Sequence, residues 1–535
     1  DVYKRQQVAG FTTTQIAGLT ATQIGALEDT DLHVLTVTQI NAFNSTQLRS
    51  LSTTQVTELQ DTQVAGLSAT QIGLFTTTQI KGLETTDFGA ITSTQLAGLT
   101  ATQVAALATT QTAALTATNI AQLSTAQLKG LSTTQLVALA DTQVKVLTAT
   151  QLASLSATQL AGLATTNIDE LSVTQLSLLT AAQVGSFTTG QIQELIETQY
   201  AGLSTTQISG LTTTQFAALE TADLQALTTT QIASLSATQV KNLSTTQIGD
   251  LLAAQVGALT ATQLGALTTT LLNTFDTVAF SSFTAAQVAG LTVSQVAALQ
   301  TADLQVLSTS AIGALNATQI KALTVTQVGD LGDTQVLALT STQLGTFTVT
   351  QIKGLEVTDL ASLATTQLSR LTTSQIAALT TSQVVALTTA QVQALTSTQV
   401  TAFTSTQFGS METVDLNALT ITALTTTQVA GLGTNIANLS AAQVGALGVT
   451  QMAVLTATEV GFLATEFGNL SATQIGALST TAISGLTMTE AAGLAFTQID
   501  GFTPTQIAAL TTTAIDGLAD TQLQSMTTTQ TDAFT

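Results

Sequence analysis

Few side chains in this sequence could do chemistry, and most of them occupy repeated positions. Among its 535 residues the chain has one histidine, His33, and no cysteine. Without a cysteine there is no thiolate nucleophile, and beyond this single His no Ser–His–Asp arrangement can be assembled. A solvated surface histidine is the simpler interpretation of His33. The sequence therefore predicts a protein that is not an enzyme, with no catalytic residue, no cofactor-binding residue, no cofactor and no metal ligand.

Acidic residues form a second candidate set, because they recur in pairs separated by three positions. These pairs are Glu28/Asp31, Glu84/Asp87, Glu220/Asp223, Glu356/Asp359 and Glu412/Asp415. Carboxylate oxygens are the ligands that Ca²⁺ prefers, and a carboxylate pair can serve a glycosidase. However, the acids fall at repeat positions, form no unique cluster and match no EF-hand loop. An acidic variant of a helix cap, copied by duplication, is the simpler interpretation, and a calcium-dependent adhesin repeat remains the alternative.

Threonine is the third candidate, because rows of hydroxyls recur along the whole chain. On the flat face of a β-solenoid such an array would resemble ice-binding and ice-nucleating repeats. In a helical fold the same hydroxyls would be used for capping. The sequence therefore keeps an ice- or surface-binding module as a further alternative function.

An eight-residue repeat positions all of these side chains. Counted from Leu99, the octad LTATQVAA gives Leu at slot 1, Thr or Ser at slot 2, variable slots 3 and 7, and Thr at slot 4. Slot 5 is Gln, slot 6 is Ile, Val or Leu, and slot 8 is mostly Ala or Gly. The frame holds without a break from Phe11 to Leu419, and units of five, seven and seven residues interrupt it between Leu419 and Leu470. We therefore divide the chain into an unbroken tract 7–419, an irregular segment 420–470 where a bend is expected, and a second octad tract 471–535.

Slots 2 to 5 carry the signature of a helix start. The pattern [S/T]-x-x-Q is a capping box, in which the hydroxyl accepts from the N3 N–H and the N3 side chain reaches back to the cap N–H. In the same register, Leu at slot 1 and Ile or Val at slot 6 form a hydrophobic staple. The sequence therefore predicts one very short helix over slots 3–8 of each octad, ended by the next cap.

Such short helices cannot be stable alone, since isolated helices need about 12–15 residues. Stacking must bury slots 1, 6 and 8 in a continuous core, and slot 8 stays small where a neighbouring helix comes close. The predicted fold is an all-α solenoid. A β-solenoid is the rival, because Thr and Val favour strands and Gln could stack as a ladder. Against it, slots 1 and 6 have opposite parity and Ala is abundant.

The composition narrows the choice of partners. Ten basic residues against 31 acidic ones give a net charge of −21, which disfavours nucleic acid and anionic lipid. Thr and Gln interrupt every octad, so we expect no membrane insertion. Lack of cysteine excludes a disulfide framework without fixing a compartment. We expect self-association, contacts with a surface or matrix, and attached flanking domains outside this segment.

The first residues break the rules of the frame. Lys4 and Arg5 would fall at slots 2 and 3, which hold no other basic residue. The string VYKRQ resembles the translated sequencing-adaptor scar of assembled metagenomic reading frames, so residues 1–6 are interpreted as a non-native artefact. The chain does not begin with Met and shows no signal peptide, and we expect it to be a fragment of a longer reading frame.

The octad tract as a whole resembles the Thr/Gln/Leu-rich repeat tracts of very large bacterial surface and secreted exoproteins, including adhesin-like ones. That resemblance implies a stalk, scaffold or spacer that carries functional domains elsewhere. It also implies an extracellular or cell-surface location in a bacterium, and it transfers no site residue.

Overall fold

A computed structural model describes residues 2–534, without the side chain of Thr465, and every regular element in these residues is a helix. No strand occurs between residues 2 and 534, so the all-α prediction is confirmed and the rival β-solenoid is wrong. Contacts divide the chain into two units, whose described parts are residues 2–274 and 275–534. This division falls inside the tract 7–419 that the octad frame shows as unbroken.

The helices of the first unit, all α-helical except the 3₁₀ turn Thr165–Asn167, are Val2–Ala9, Thr13–Gly18, Ala21–Gly25, Asp29–His33, Val37–Asn41, Ser45–Ser50, Thr53–Thr57, Asp61–Gly66, Ala69–Ile72, Thr77–Gly82, Thr85–Ala90, Ser93–Ala97, Ala101–Ala105, Thr109–Ala114, Ala117–Gln122, Thr125–Gly130, Thr133–Val137, Asp141–Lys145, Ala149–Ser154, Ala157–Ala161, Thr165–Asn167, Val173–Ser177, Ala181–Val184, Thr189–Gln193, Glu197–Gly202, Thr205–Ser209, Thr213–Ala217, Thr221–Ala226, Thr229–Ser234, Ala237–Lys241, Thr245–Gly249, Ala253–Ala258, Ala261–Ala266 and Thr269–Leu272.

The helices of the second unit, with 3₁₀ turns at Ile421–Ala423, Gly433–Asn438 and Ala464–Asn469, are Thr277–Ser281, Ala285–Ala289, Val293–Ala298, Thr301–Gln305, Thr309–Gly313, Ala317–Ala322, Val325–Gly329, Asp333–Ala338, Ser341–Thr346, Val349–Gly354, Val357–Ser362, Thr365–Leu368, Thr373–Ala378, Thr381–Val385, Thr389–Gln393, Ser397–Val400, Ser405–Ser410, Thr413–Ala418, Ile421–Ala423, Thr426–Ala430, Gly433–Asn438, Ala441–Ala446, Val449–Met452, Ala457–Leu463, Ala464–Asn469, Ala472–Ala477, Thr480–Ile483, Met488–Ala492, Phe496–Ile499, Pro504–Ile507, Thr512–Asp516, Asp520–Ser525 and Thr528–Thr531.

Each regular octad forms one helix in the predicted register. Thr13–Gly18 covers slots 3–8, and several others, such as Ala21–Gly25, end one residue earlier. Thr12 at slot 2 has an extended backbone and accepts from the Gln15 N–H, while Gln15 bonds back to the Thr12 N–H. The reciprocal cap satisfies two N–H groups that a helix start leaves free. The capping box therefore explains why a new helix begins at every octad.

Three octads make one coil of the solenoid. The helix Ala101–Ala105 packs on Thr125–Gly130, which begins three octads later, and Ala237–Lys241 packs on Ala261–Ala266 in the same way. The second unit repeats this relation between Ala285–Ala289 and Thr309–Gly313. Because each helix rests on the helix one coil away, stability comes from stacking, as in other solenoids.

The core consists of slots 1 and 6, as predicted. Slot 6 is sealed from solvent, for example Ile80 and Val104 at 0% exposed, and slot 1 is nearly so. The prediction that slot 8 is buried with them is wrong: slot 8 is half-exposed in most octads, and the Gln at slot 5 is buried instead. Slot 8 is small because the preceding coil lies against it: a Cβ on Gly98 would lie 2.1 Å from the Ala69 carbonyl oxygen.

The stack continues through the irregular segment 420–470. Both seven-residue units form the 3₁₀ turns Gly433–Asn438 and Ala464–Asn469 in place of an α-helix. Gly433 and Ala464 are the residues of the described chain with positive φ, at 54° and 45°. The five-residue unit leaves a cavity of about 30 Å³ beside Leu419 and Thr420. The expected bend stays a prediction.

The interpretation of residues 1–6 and the tract boundaries remain predictions. Val2–Ala9 forms a helix in which Val2 and Tyr3 are exposed, an observation that does not test a foreign origin. Asp1 of the segment 1–6 and Thr535 of the tract 471–535 lie outside the described residues. Across residues 2–534, none of the helices has the length and apolar character needed to span a bilayer.

Candidate functional site

The most repeated polar group of the interior is the glutamine at slot 5. In the first unit Gln63 is 1% exposed, and its Oε1 accepts a hydrogen bond from the Gln60 N–H at 2.8 Å. This bond is the half of the capping box that the Gln side chain supplies. It persists where slot 2 lacks a hydroxyl, as at Ala108, whose N–H donates to Gln111 Oε1 at 2.8 Å.

The amide nitrogen of the same side chain joins one coil to the next. Gln63 Nε2 donates to the carbonyls of Leu32 and Leu35 at 2.8 and 2.7 Å, and in the second unit Gln351 Nε2 donates to Ile320 and Leu323 at the same two distances. The acceptors lie 31 and 28 residues earlier, at slots 6 and 1 around the preceding coil. We call this row of amides and carbonyls the glutamine seam.

The glutamine seam explains a sequence preference that capping alone does not. A capping box works with Glu or Gln, yet in regular octads slot 5 is Gln far more often than Glu. A carboxylate could accept from the cap N–H but has no proton for the carbonyls of the preceding coil. The preference for the amide is the signal from which the inter-coil bonds could have been predicted.

Of the two glutamates at slot 5, Glu459 follows this polarity rule. Glu459 Oε2 accepts from the Thr456 N–H at 2.8 Å, and its Oε1 accepts from the Gly433 N–H at 3.1 Å. Glu490 Oε2 likewise accepts from the Thr487 N–H at 2.8 Å, but its Oε1 is buried without a hydrogen-bond partner, and burial raises its pKa. At the positive-φ residue Gly433 the preceding coil presents an N–H instead of a carbonyl, and the side chain that receives it is an acceptor.

The predicted acidic caps occupy the same slot. Asp87 accepts from the Glu84 N–H at 2.8 Å, Asp223 from the Glu220 N–H at 3.1 Å, and Asp31 from the Glu28 N–H at 3.3 Å. For these three pairs the interpretation as a variant of the helix cap is confirmed. Asp359 and Asp415 occupy the same buried position without a cap hydrogen bond, and Asp415 instead accepts from the Thr389 hydroxyl at 2.9 Å.

Burial changes the ionisation of several of these aspartates. It raises the pKa of Asp87, Asp223 and Asp359 to about 6 in each case. The pKa of Asp303 is also raised by burial. The shift follows from placing a carboxyl group where the regular octads place a neutral amide.

The remaining candidates lie at the surface. His33 is partly exposed, and its Nε2 lies 3.7 Å from Glu58 Oε2, as expected for a solvated residue. The threonine hydroxyls at slot 2 accept from backbone N–H groups, for example Thr100 from Gln103 at 3.2 Å. Among residues 2–534 no three His, Asp or Glu side chains converge closely enough to hold a metal ion.

Comparison with known proteins finds similarity at the level of the repeat. A search of curated proteins finds no match to the chain. The family model ALTTAQ repeat matches the chain five times, at residues 24–61, 80–117, 216–252, 296–333 and 352–389. Three of these matches, which begin at residues 80, 216 and 352, are evenly spaced along the chain. The chain therefore carries a repeat tract similar to the ALTTAQ repeat.

Proposed function

We propose that the chain is a structural segment without enzymatic activity, a stalk, scaffold or spacer of a large secreted or cell-surface bacterial protein. The observation that supports this proposal best is the glutamine seam. The glutamine that most regular octads place in the interior is used by the cap and by the preceding coil, as Gln63 shows. A fold whose buried polar groups connect its own coils is suited to carrying load and holding distance.

Two further features support this role over a binding module. Slot 2 hydroxyls bond to backbone N–H groups of their own helix and are not presented on a flat strand face. The charge of −21 in a chain with 8% charged residues gives a mildly acidic surface suited to solubility. Secretion, surface attachment and flanking adhesive domains follow from the resemblance to bacterial exoproteins and belong to the proposal.

Stretching single molecules tests the mechanical role. Handles at both ends would pull the full chain while extension is recorded. A spacer built from stacked coils should yield in many steps, because each coil contacts only its neighbours. Each step should release about 80 Å of chain, the extended length of three octads at about 3.3 Å per residue.

Relaxation should restore these steps, since neighbouring coils are all that each coil needs for refolding. A chain that extends at forces no greater than those of an unfolded polymer would contradict the proposed function. A deletion of one whole octad, residues 100–107, serves as a matched control. It should shorten the extended chain by one repeat and leave the force of the steps unchanged.

A further inference from the structure

Three acidic pairs bridge adjacent coils at one recurring position. Asp87 lies within hydrogen-bonding reach of Asp61, and Asp359 within the same reach of Asp333. In the third pair the charge of Glu197 acts on Asp223. Each pair joins slot 5 of one coil to slot 3 of the preceding coil, and the pairs recur at the spacing of the three evenly placed family matches. They therefore recur in all three copies of a larger block.

The slot 5 member of each pair is buried, and in two pairs at least one of its carboxyl oxygens lacks a donor. Asp87 and Asp359 are each 2% exposed. Oδ1 of Asp87 and both carboxyl oxygens of Asp359 have no hydrogen-bond partner. Regular octads place the amide protons of Gln in this position, so the carbonyls of the preceding coil lie nearby. A carboxylate here faces other acceptors.

The charged surroundings of the pairs are acidic. Glu84 and Asp61 face Asp87, Glu356 and Asp333 face Asp359, and Glu220, Glu197 and Tyr200 face Asp223. Helices 61–66 and 109–114 pack against Thr85–Ala90, and helices 333–338 and 381–385 pack against Val357–Ser362. None of these four helices contains Lys, Arg or His. Around Asp223, the helix 197–202 adds no basic residue, and Asp250 accepts from the Thr221 hydroxyl at the following coil.

The chain itself contains the amide version of the pair. Asn167 occupies slot 5, and its Nδ2 donates to Asp141 Oδ1 at 2.8 Å, again at slot 3 of the preceding coil. Asn119, also at slot 5, donates to the Ile91 carbonyl at 2.9 Å. A short side chain with a proton to donate can therefore bond to the preceding coil from this position. A carboxyl group has such a proton only in its neutral form.

We infer that Asp61/Asp87 and Asp333/Asp359 are proton-binding sites in the coil-to-coil contact, each holding one proton between two carboxyl groups. With the proton bound, Asp87 donates as Asn167 does. When the proton leaves, two negative charges are buried against acceptor oxygens and the contact between the two coils weakens. A proton fits these pairs better than a metal ion, because no third carboxylate among residues 2–534 completes a metal site.

The raised pKa values agree with this geometry and give the sign of the effect. The folded-state pKa of about 6 lies above the ordinary value of 3.8. Between these values the folded protein binds more protons than the unfolded one, so stability falls as the pH rises. The loss begins near pH 4 and is complete above pH 6. From pH 5 to pH 8 it corresponds to an increase of about tenfold in the local opening constant for each pair.

Hydrogen exchange at pH 5 and pH 8 tests the inference on the full chain. Asp87→Asn converts one pair to the Asp141/Asn167 form. Peptides covering residues 60–90 are compared between variant and wild type at each pH, because this comparison cancels the pH dependence of the intrinsic exchange rates. We expect the wild type to lose about tenfold more protection than Asp87→Asn between the two pH values. Asp415→Asn is the matched control, because Asp415 already receives the Thr389 hydroxyl, and it should not change the dependence on pH.

A second variant separates the pair without replacing an acid. Deletion of residues 68–75 removes one octad, so that Asp87 faces Thr53 at slot 3 in place of Asp61. The pH effect at Asp87 should shrink in this variant and persist when residues 100–107 are deleted. Equal pH dependence in the wild type, Asp87→Asn and the 68–75 deletion would overturn the inference. Adding millimolar Ca²⁺ at pH 8 gives a further test. If Ca²⁺ restored protection in the wild type but not in Asp87→Asn, the pairs would bind a cation and the inference would be overturned.

Discussion

Exchanging Gln and Glu at slot 5 should lower local stability in both directions, because the glutamine seam matches donors to acceptors. Gln79 is 3% exposed, and its Nε2 donates to the Leu48 and Leu51 carbonyls, both at 2.8 Å. Gln79→Glu keeps the acceptor for the Thr76 N–H and loses both donors. The Leu48 carbonyl keeps the Leu51 N–H, but the buried Leu51 carbonyl is left without a donor, which costs about 1–3 kcal/mol, and the new carboxylate faces both carbonyls. We expect a local loss of about 3 kcal/mol at neutral pH, or roughly 150-fold in the opening constant.

The reciprocal change is Glu459→Gln. Its two carboxylate oxygens accept from the Thr456 and Gly433 N–H groups, and an amide can accept only one of them. The remaining N–H then faces an NH₂ group, and we expect a local loss of about 1–3 kcal/mol. Thr78→Glu is the control, because Thr78 is exposed one residue before Gln79 and the added charge leaves the seam intact.

Hydrogen exchange resolved by peptide measures these effects. Gln79→Glu should lower protection in peptides covering residues 44–83, while peptides of more distant coils keep theirs. Protection in Thr78→Glu should stay within a few-fold of the wild type. The reasoning is refuted if Gln79→Glu and Thr78→Glu are indistinguishable, or if protection falls equally along the whole chain.

Two further substitutions test backbone features. Ala464→Gly should raise local stability by about 1 kcal/mol, because Ala464 has a φ of 45° and the corresponding residue of the other seven-residue unit is Gly433. Unchanged chemical denaturation and hydrogen exchange in this variant would contradict backbone strain at Ala464. Gly98→Ala should cost about 1–3 kcal/mol, because its Cβ would lie 2.1 Å from the Ala69 carbonyl oxygen. Gly18→Ala, whose Cβ has open space, should instead be neutral or stabilise by about 0.4–1 kcal/mol, and equal melting temperatures of the two variants would count against the close packing at slot 8.

The local structure could be predicted from the sequence because its cause is local. A capping box spans four residues, so the start of Thr13–Gly18 at slot 3 follows from Thr12 and Gln15 alone. The end of the helix follows in the same way, since Leu19 takes an extended backbone before the next cap at Thr20. The hydrophobic staple likewise identifies slots 1 and 6 as core.

The coil could not be predicted from the same residues. Whether two, three or four octads close one turn depends on the angle between successive helices, which the spacing of residues does not contain. For this reason the partners of Gln63, 28 and 31 residues away, were not foreseen, and slot 8 was assigned to the core in place of slot 5. The acid pairs were missed for the same reason, because Asp61 and Asp87 meet only when three octads separate them.

Thiol cross-linking tests the closure of three octads per coil most directly. Because the chain has no native cysteine, only the introduced thiols can react. Lys145 and Glu170 form an ion pair between adjacent coils. Cysteines at positions 145 and 170 should therefore be joined rapidly by a short bifunctional reagent. Cysteine pairs at 145/162 and 145/178 fall one octad short and one octad beyond, and they should react slowly. Faster reaction of the 145/162 pair would indicate two octads per coil, faster reaction of the 145/178 pair would indicate four, and either result would contradict the fold and the glutamine seam together.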